Sequence, residues 1–183
     1  NARICYLMAK QIQYAGEFDL DTLKLYSSTK VLADISDIVL SIDLNENIFQ
    51  SSVDGTIMIG DANNLIENMP ITGQEYIDLK ISTPGAVSSR DTINFTNNKK
   101  LYINSVTSRQ SLTSGSQVYT LSVSTIEPLR NKSIRISKSY TETISDIVLD
   151  IFRNVFQTDK KLFIEKTKGI RKIVIPNNHP FTI

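Results

Sequence analysis

Asp34–Ser82 reads DISDIVLSIDLNENIFQSSVDGTIMIGDANNLIENMPITGQEYIDLKIS, and its alternation decides the fold class. Ile35, Ile38, Leu40, Ile42 and Leu44 fall largely at every second position, the spacing of a half-buried strand. The pair Asp54-Gly55 predicts a tight hairpin turn, because glycine has no Cβ to clash and aspartate tolerates the left-handed region. Beyond it Ile57 and Ile59 point one way, Thr56 and Met58 the other. Gly60–Asn68 is too polar for a sheet strand and is expected to hold one or two helical turns from an Asp or Asn cap. Pro70 and Gly73 then punctuate a return strand in which Ile77, Leu79 and Ile81 share a face.

The same grammar extends outward. Phe18, Leu20, Leu23 and Leu25 predict an early strand over Phe18–Tyr26, with one skip in spacing that predicts a bulge. Thr83–Asn98 is rich in turn formers, with a short strand at Thr92–Phe95. Leu101, Ile103 and Val106 open a strand whose hairpin partner is Val118–Ile126, across an exposed tip at Thr107–Ser116. At Pro128 the character changes. A short strand around Ile134 and Ile136 precedes an apolar stripe of helical spacing: Ile144, Ile147, Val148, Ile151, Phe152, Val155 and Phe156. Thr143 and Asp146 form the start signal, a capping box with Asp for the usual Glu. The whole stripe is expected to face a domain interior. Leu162–Ile164 and Ile173–Ile175 read as short strands around a basic turn. The fold class expected is mainly β with α (α+β): an antiparallel β-barrel or sandwich over residues 1–127, followed by the start of a small mixed domain over 128–183.

At 183 residues and 40% apolar, the chain is long enough to bury a real core. No run reaches the eighteen or so apolar residues that a membrane span needs, and residues 1–14 lack the features of a secretory signal. The first residue is not Met and the last residues carry no stop signal, so a longer native polypeptide is expected. Cys5 is the only cysteine and His179 the only histidine, which excludes an internal disulfide and a His-pair zinc site from this chain alone. Cys5 reads as a small apolar residue near a first strand and His179 as a turn residue. A single thiol also fits assembly in a reducing cytoplasm.

The net charge of +1 hides a division: residues 1–98 carry six Lys/Arg against thirteen Asp/Glu, residues 99–183 fourteen against six. Opposite-signed faces meeting between neighbouring copies are one consequence; scattered solvated charge is the other. The basic clusters, Arg130–Lys138 and Lys160–Lys172, have little interleaved aromatic surface for base stacking and match no nucleic-acid reader motif. The chain contains no GxSxG elbow, P-loop, dinucleotide-binding glycine fingerprint or HExxH. Asp37 and Asp43, six residues apart on a strand, would stand about 20 Å apart, too far for a glycosidase pair. No cofactor, metal or catalytic residue is expected.

Four linked pieces carry a family resemblance: the strand Ile35–Leu44, the segment GTIMIGDANNLIENMPITGQEYIDLKI from Gly55 to Ile81, the hairpin LYINSVTSRQSLTSGSQVYTLSVST from Leu101 to Thr125, and the change at Glu127-Pro128 leading to the helix at Ile144–Phe156. Together with Ile175–Phe181, they resemble the N-terminal part of the baseplate hub proteins of contractile-tailed bacteriophages, over most of residues 18–183. The resemblance implies a tail-tube-like β domain and a non-enzymatic, structural job: a ring, typically trimeric, that joins the six-fold tail tube to the three-fold central spike and lets DNA pass as cargo. It implies tail-tube, spike and other baseplate proteins as partners, no membrane partner, assembly in the host cytoplasm and residence in the virion. Polar strand positions Ser36, Asp37, Ser41, Asp43, Ser122 and Ser124 are the candidate lumen or interface face. The alternatives are a tail-tube subunit or, from another class, a carbohydrate-binding or peptidoglycan hydrolase module.

Overall fold

The computed structural model describes residues 14–28, 32–50, 52–85, 92–112, 115–158 and 160–182; Cys5, the other residues before 14 and parts of the two predicted loops lie outside them. The fold is mainly β with antiparallel sheets, in the α+β class. The chain groups into two units, Asn1–Asn47 with Val53–Thr125, and Ile48–Ser52 with Ile126–Ile183.

The first unit holds β1 (Asp19–Tyr26), β2 (Leu32–Asp34), β3 (Val39–Glu46), β4 (Val53–Asp61), the short helix α1 (Leu65–Asn68), β5 (Tyr76–Ser82), β6 (Thr92–Phe95), β7 (Leu101–Ser111) and β8 (Gln117–Ser124). Its strands run in the order β2-β1-β5-β7-β8-β4-β3, with β6 beside β5. The two ends of that path, β2 and β3, are joined by Ile35–Ile38. There the Ile35 N–H donates to the Leu23 carbonyl of β1 at 3.0 Å, and the Gly60 N–H of β4 donates to the Ile38 carbonyl at 2.8 Å. One stretch of chain is thus bonded to β1 at its start and to β4 at its end, which closes the sheet on itself and leaves fewer strand edges open. The enclosed face is apolar because each strand offers every second residue to it: Leu23 and Leu25, Ile57 and Ile59, Ile77 and Leu79, Leu101 and Ile103, Leu121 and Val123 are all buried, with Ile35 and Tyr119.

Two sequence expectations change here. Asp54 and Gly55 are not a turn. They lie inside β4, paired with Asn45 and Leu44 of β3 and with Ser124 and Val123 of β8; the hairpin turns between Glu46 and Val53. Gly55 does not carry the positive φ that a tight turn needs. A Cβ there would fall on the Asp43 carbonyl oxygen and within 2.9 Å of the Leu44 side chain, so glycine serves close strand approach. The predicted strand Ile35–Leu44 is likewise divided: Ile35 is core, residues 36–38 turn, and the register shift between Val39 and Ser41 makes Leu40 a bulge residue. Leu40 therefore sits outside, 59% exposed, where a Cβ added at Gly60 would meet its side chain at 3.5 Å. The predicted skip in the first strand is a bulge too, between Leu20 and Thr22 of β1, and β7 and β8 pair as the predicted hairpin.

The second unit holds α2 (Glu127–Ser133), β9 (Ile136–Glu142), α3 (Ile144–Asp150) running on as a π turn over Ile151–Val155, β10 (Arg171–Asn178) and a 3-10 turn at Pro180–Thr182. β9 and β10 form a two-stranded antiparallel sheet. Thr143 caps α3 as predicted: its Oγ1 accepts from the Asp146 N–H at 3.3 Å and donates to the Asp146 carboxylate at 2.6 Å. The apolar stripe is narrower than its spacing predicted. Ile147 and Ile151, with Val155 one turn further, pack with Ile136, Tyr140 and Ile175 of the ribbon, whereas Ile144 and Val148 are 39% and 38% exposed and Phe152 is half-buried. A two-stranded ribbon is too narrow to cover more than one stripe of a helix. Leu162–Ile164 is not a strand, because it finds no partner; residues 161–168 have no regular structure.

Candidate functional site

Direct cross-strand pairing puts residues on one face of a sheet, and it assembles most of the predicted polar face. Asp43 of β3 pairs with Thr56 of β4, and Thr56 with Ser122 of β8. One step along, Ser41 pairs with Met58 and Met58 with Thr120; in the other direction Asn45 pairs with Asp54 and Asp54 with Ser124. Ser41, Asp43, Ser122 and Ser124 therefore share the face opposite the apolar core. Ser36 and Asp37 do not join it. They lie in the turn before β3, where the Ser36 N–H donates to the Asp34 carboxylate at 3.1 Å. The face extends onto β7, where Ser105 pairs with Ser122 and Thr107 with Thr120. Ser124 is buried at its end, with its hydroxyl 3.0 Å from the Asn104 amide nitrogen. The result is a strip of small hydroxyl and amide groups, exposed on β3 and β4 and half-covered on β8, with Leu40 and Met58 as its exposed apolar members.

Round the sheet the same outer side carries aromatic residues. Tyr26 and Tyr76 stack with centroids 4.8 Å apart and planes 12° apart, and Tyr102 tilts against Tyr76 at 6.2 Å. The Lys100 ammonium lies 3.5 Å over the Tyr76 ring, a cation–π contact. Burial first, and then the Asp78 carboxylate, pushes the Tyr26 phenol up from its ordinary value. Since the Tyr76 ring meets Tyr26 and Lys100, this ladder holds β1, β5 and β7 together rather than presenting an open platform for a sugar ring.

Two fully buried carboxylates, which sequence reasoning did not single out, fix the connections at the ends of the strands. Glu75 accepts from the backbone N–H groups of Thr72, Gly73 and Gln74 at 2.8, 2.7 and 3.1 Å and from the Thr72 hydroxyl at 2.9 Å. Burial alone would raise its carboxyl, but these donors outweigh it and hold the carboxyl below its ordinary value. Asp61 accepts from the N–H groups of Asn63 and Ile66 at 2.9 and 3.3 Å and from the Tyr119 hydroxyl at 3.4 Å. Burial, reinforced by that carboxylate, lifts the Tyr119 phenol above its ordinary range. Nearby, Arg109 Nε donates to Gln117 at 2.7 Å and its guanidinium pairs with Glu67 at 3.1 Å. A TxxE pattern within a turn was the available signal for Glu75; Asp61 had none, because the strand and helix that share it are set by tertiary pairing.

In the second unit Asp150 takes donors from Asn154 at 2.8 Å, Lys138 at 2.9 Å and Tyr140 at 2.8 Å, which together bring its carboxyl down to about 2. Lys160 pairs with the buried Glu127 at 2.8 Å, and the His179 ring nitrogen lies 2.9 Å from the Ile134 carbonyl. Among the described residues no three His, Cys, Asp or Glu side chains cluster to hold a metal ion, and no helix is long and apolar enough to cross a membrane. The chain matches no protein-family model and no curated protein.

Proposed function

We propose that the chain is a structural subunit of a ring, the baseplate hub of a contractile tail, in which the first unit supplies a tail-tube-like barrel wall and the second is a small mixed domain beside it in sequence. The observation that supports this reading is the hydroxyl-rich strip through Asp43, Thr56 and Ser122, backed by a continuous apolar core. A wall that lines a wet passage or meets a neighbour needs that division: one side dry, the other wetted by small groups that offer no deep pocket. The buried carboxylates fit a scaffold as well. Glu75 is saturated by donors that favour its ionised form, the opposite of the raised carboxyl that a glycosidase acid requires.

In this role the protein works through geometry. Homo-oligomeric contact, most simply three-fold, places the subunit between the tail tube and the central spike, with DNA as passing cargo. The test is the mass and symmetry of the protein by light scattering and negative-stain imaging, with and without tube and spike proteins. Three-fold rings with a central hole are the expected result; six-fold rings would reassign the chain to the tube wall, and a strict monomer that binds neither neighbour would end the ring reading.

A further inference from the structure

The acidic character of the chain is concentrated to an unusual degree. From Val31 to Leu79 there are nine Asp and Glu residues and no Lys or Arg. Asp61 and Glu75 are buried and Glu67 pairs with Arg109. Asp43 and Asp54 instead stand exposed on the outer face of β3 and β4, with Glu46 at the strand end, and have no cation partner among the described residues. Exposed apolar side chains share that face: Leu40 at 59% and Met58 at 38%.

The second unit carries the converse. Lys160–Lys172 holds six cations against the single acid Glu165. Lys160 is used by Glu127; Lys161, Lys166, Lys168, Arg171 and Lys172 are exposed and have no anionic partner among the described residues. Phe163, Ile170 and Val174 are 92%, 70% and 67% exposed in the same region. Residues 161–168 are anchored despite lacking regular structure: Thr167 Oγ1 accepts from the Ser145 N–H at 3.0 Å, and the Thr167 N–H donates to the Ser145 hydroxyl at 3.3 Å. Their cations are thereby held near a fixed point.

We infer that residues 160–172 of one copy dock on the outer face of β3 and β4 of the next copy, Lys161, Lys166 and Lys168 against Asp43 and Asp54, with Phe163 and Ile170 covering Leu40 and Met58. The two surfaces match in sign, and each brings apolar side chains that gain from leaving water. They differ from each other, so the contact is head-to-tail, the kind that closes into a ring when the rotation permits. This names the contact for the ring reading above and rests on it. Nucleic acid fits the basic segment less well: it would use the charge, but Ile170 and Val174 have no role against a phosphate backbone, and Phe163 is the one aromatic residue available for stacking.

A charge-swap experiment on the full chain tests the inference by sedimentation and light scattering at low salt. The triple variant Lys161→Glu, Lys166→Glu, Lys168→Glu and the double variant Asp43→Lys, Asp54→Lys should each self-associate more weakly by roughly tenfold or more, and an equimolar mixture of the two should associate again through the reversed contact. Phe163→Ser alone should weaken association with little change in its salt dependence. All these positions are exposed, and circular dichroism is used to check that each variant folds. Rings that persist in both charge variants would overturn the docking and leave the ring reading intact. Docking that grows open chains instead of closing would uphold the contact and overturn the ring. Failure of the mixture to associate would overturn the docking, as would salt-dependent binding of a duplex oligonucleotide that the triple variant loses while its self-association stays unchanged.

Discussion

β4 and α3 carry equally regular apolar patterns and reach different degrees of burial. In β4, Ile57 and Ile59 are wholly buried, because the strand is paired on both sides and its inner face looks onto a sheet that closes on itself. In α3, Ile147 and Ile151 are buried while Ile144 and Val148, on the same predicted stripe, remain over a third exposed, because only a two-stranded ribbon lies opposite. Periodicity says which side of an element is apolar; the width of what faces it decides how much of that side is covered.

Substitutions that probe this difference can be ordered by expected size. Gly55→Ala should be the most damaging, costing about 3 kcal/mol or more, since its Cβ meets β3 backbone with no room to yield. Gly55→Asn, acceptable in a positive-φ turn, should be no better tolerated; urea unfolding of both variants decides, and near-normal stability of the Asn variant would restore the turn. Ile57→Ala comes next, at about 3 kcal/mol for a core cavity, measured in the same way. If it cost no more than Val148→Ala, the proposed contrast between closed sheet and open ribbon would be wrong.

Glu75→Gln should cost about 2 kcal/mol at neutral pH, because three backbone donors lose a charged acceptor. The sign with pH follows from its lowered carboxyl. The ionised form is favoured by folding, so its contribution is fully present above the unfolded value near 4.5 and is lost as pH falls through the folded value. Acid titration of stability should therefore be steeper below about pH 4.5 in the wild type than in the Gln variant, and parallel curves would refute the role. Val148→Asp should have the smallest effect, within about 1 kcal/mol, as expected of a position that keeps contact with water. A drop of several kcal/mol in thermal or urea unfolding would mean that the exposed side of α3 is covered.

Much of the first unit is legible in the sequence because its signals are local and repeat every second residue: β5, the β7–β8 hairpin and the skip in β1 are all read directly. Gly55 is misread because Asp-Gly is a local turn signal, whereas a strand paired on both flanks is a tertiary fact that no dipeptide encodes. Leu40 counts as an inner position until a bulge turns it outward, and the strand predicted for Leu162–Ile164 fails because a strand exists only with a partner. The candidate face is legible in part. Ser41, Asp43, Ser122 and Ser124 follow from alternation, while Ser36 and Asp37 fall in a turn that alternation alone does not mark. Asp61 is invisible at that level, since an acid in a polar stretch looks the same whether it is solvated or buried among donors, and Glu75 has only its TxxE turn pattern to mark it.

The pairing of β1 with β5 has a consequence for synthesis. It joins residues as distant as Asp19 and Ser82, and β4 must likewise wait for β8. As the chain leaves the ribosome, β1 has only β2 to pair with, and Leu23 and Leu25 have no core to enter until the far side of the sheet has emerged. Long-range pairing of this kind is slow to form. Newly made chains thus pass through an interval in which oily strands are bare, and the time taken to translate from β1 to residue 124 sets its shortest length.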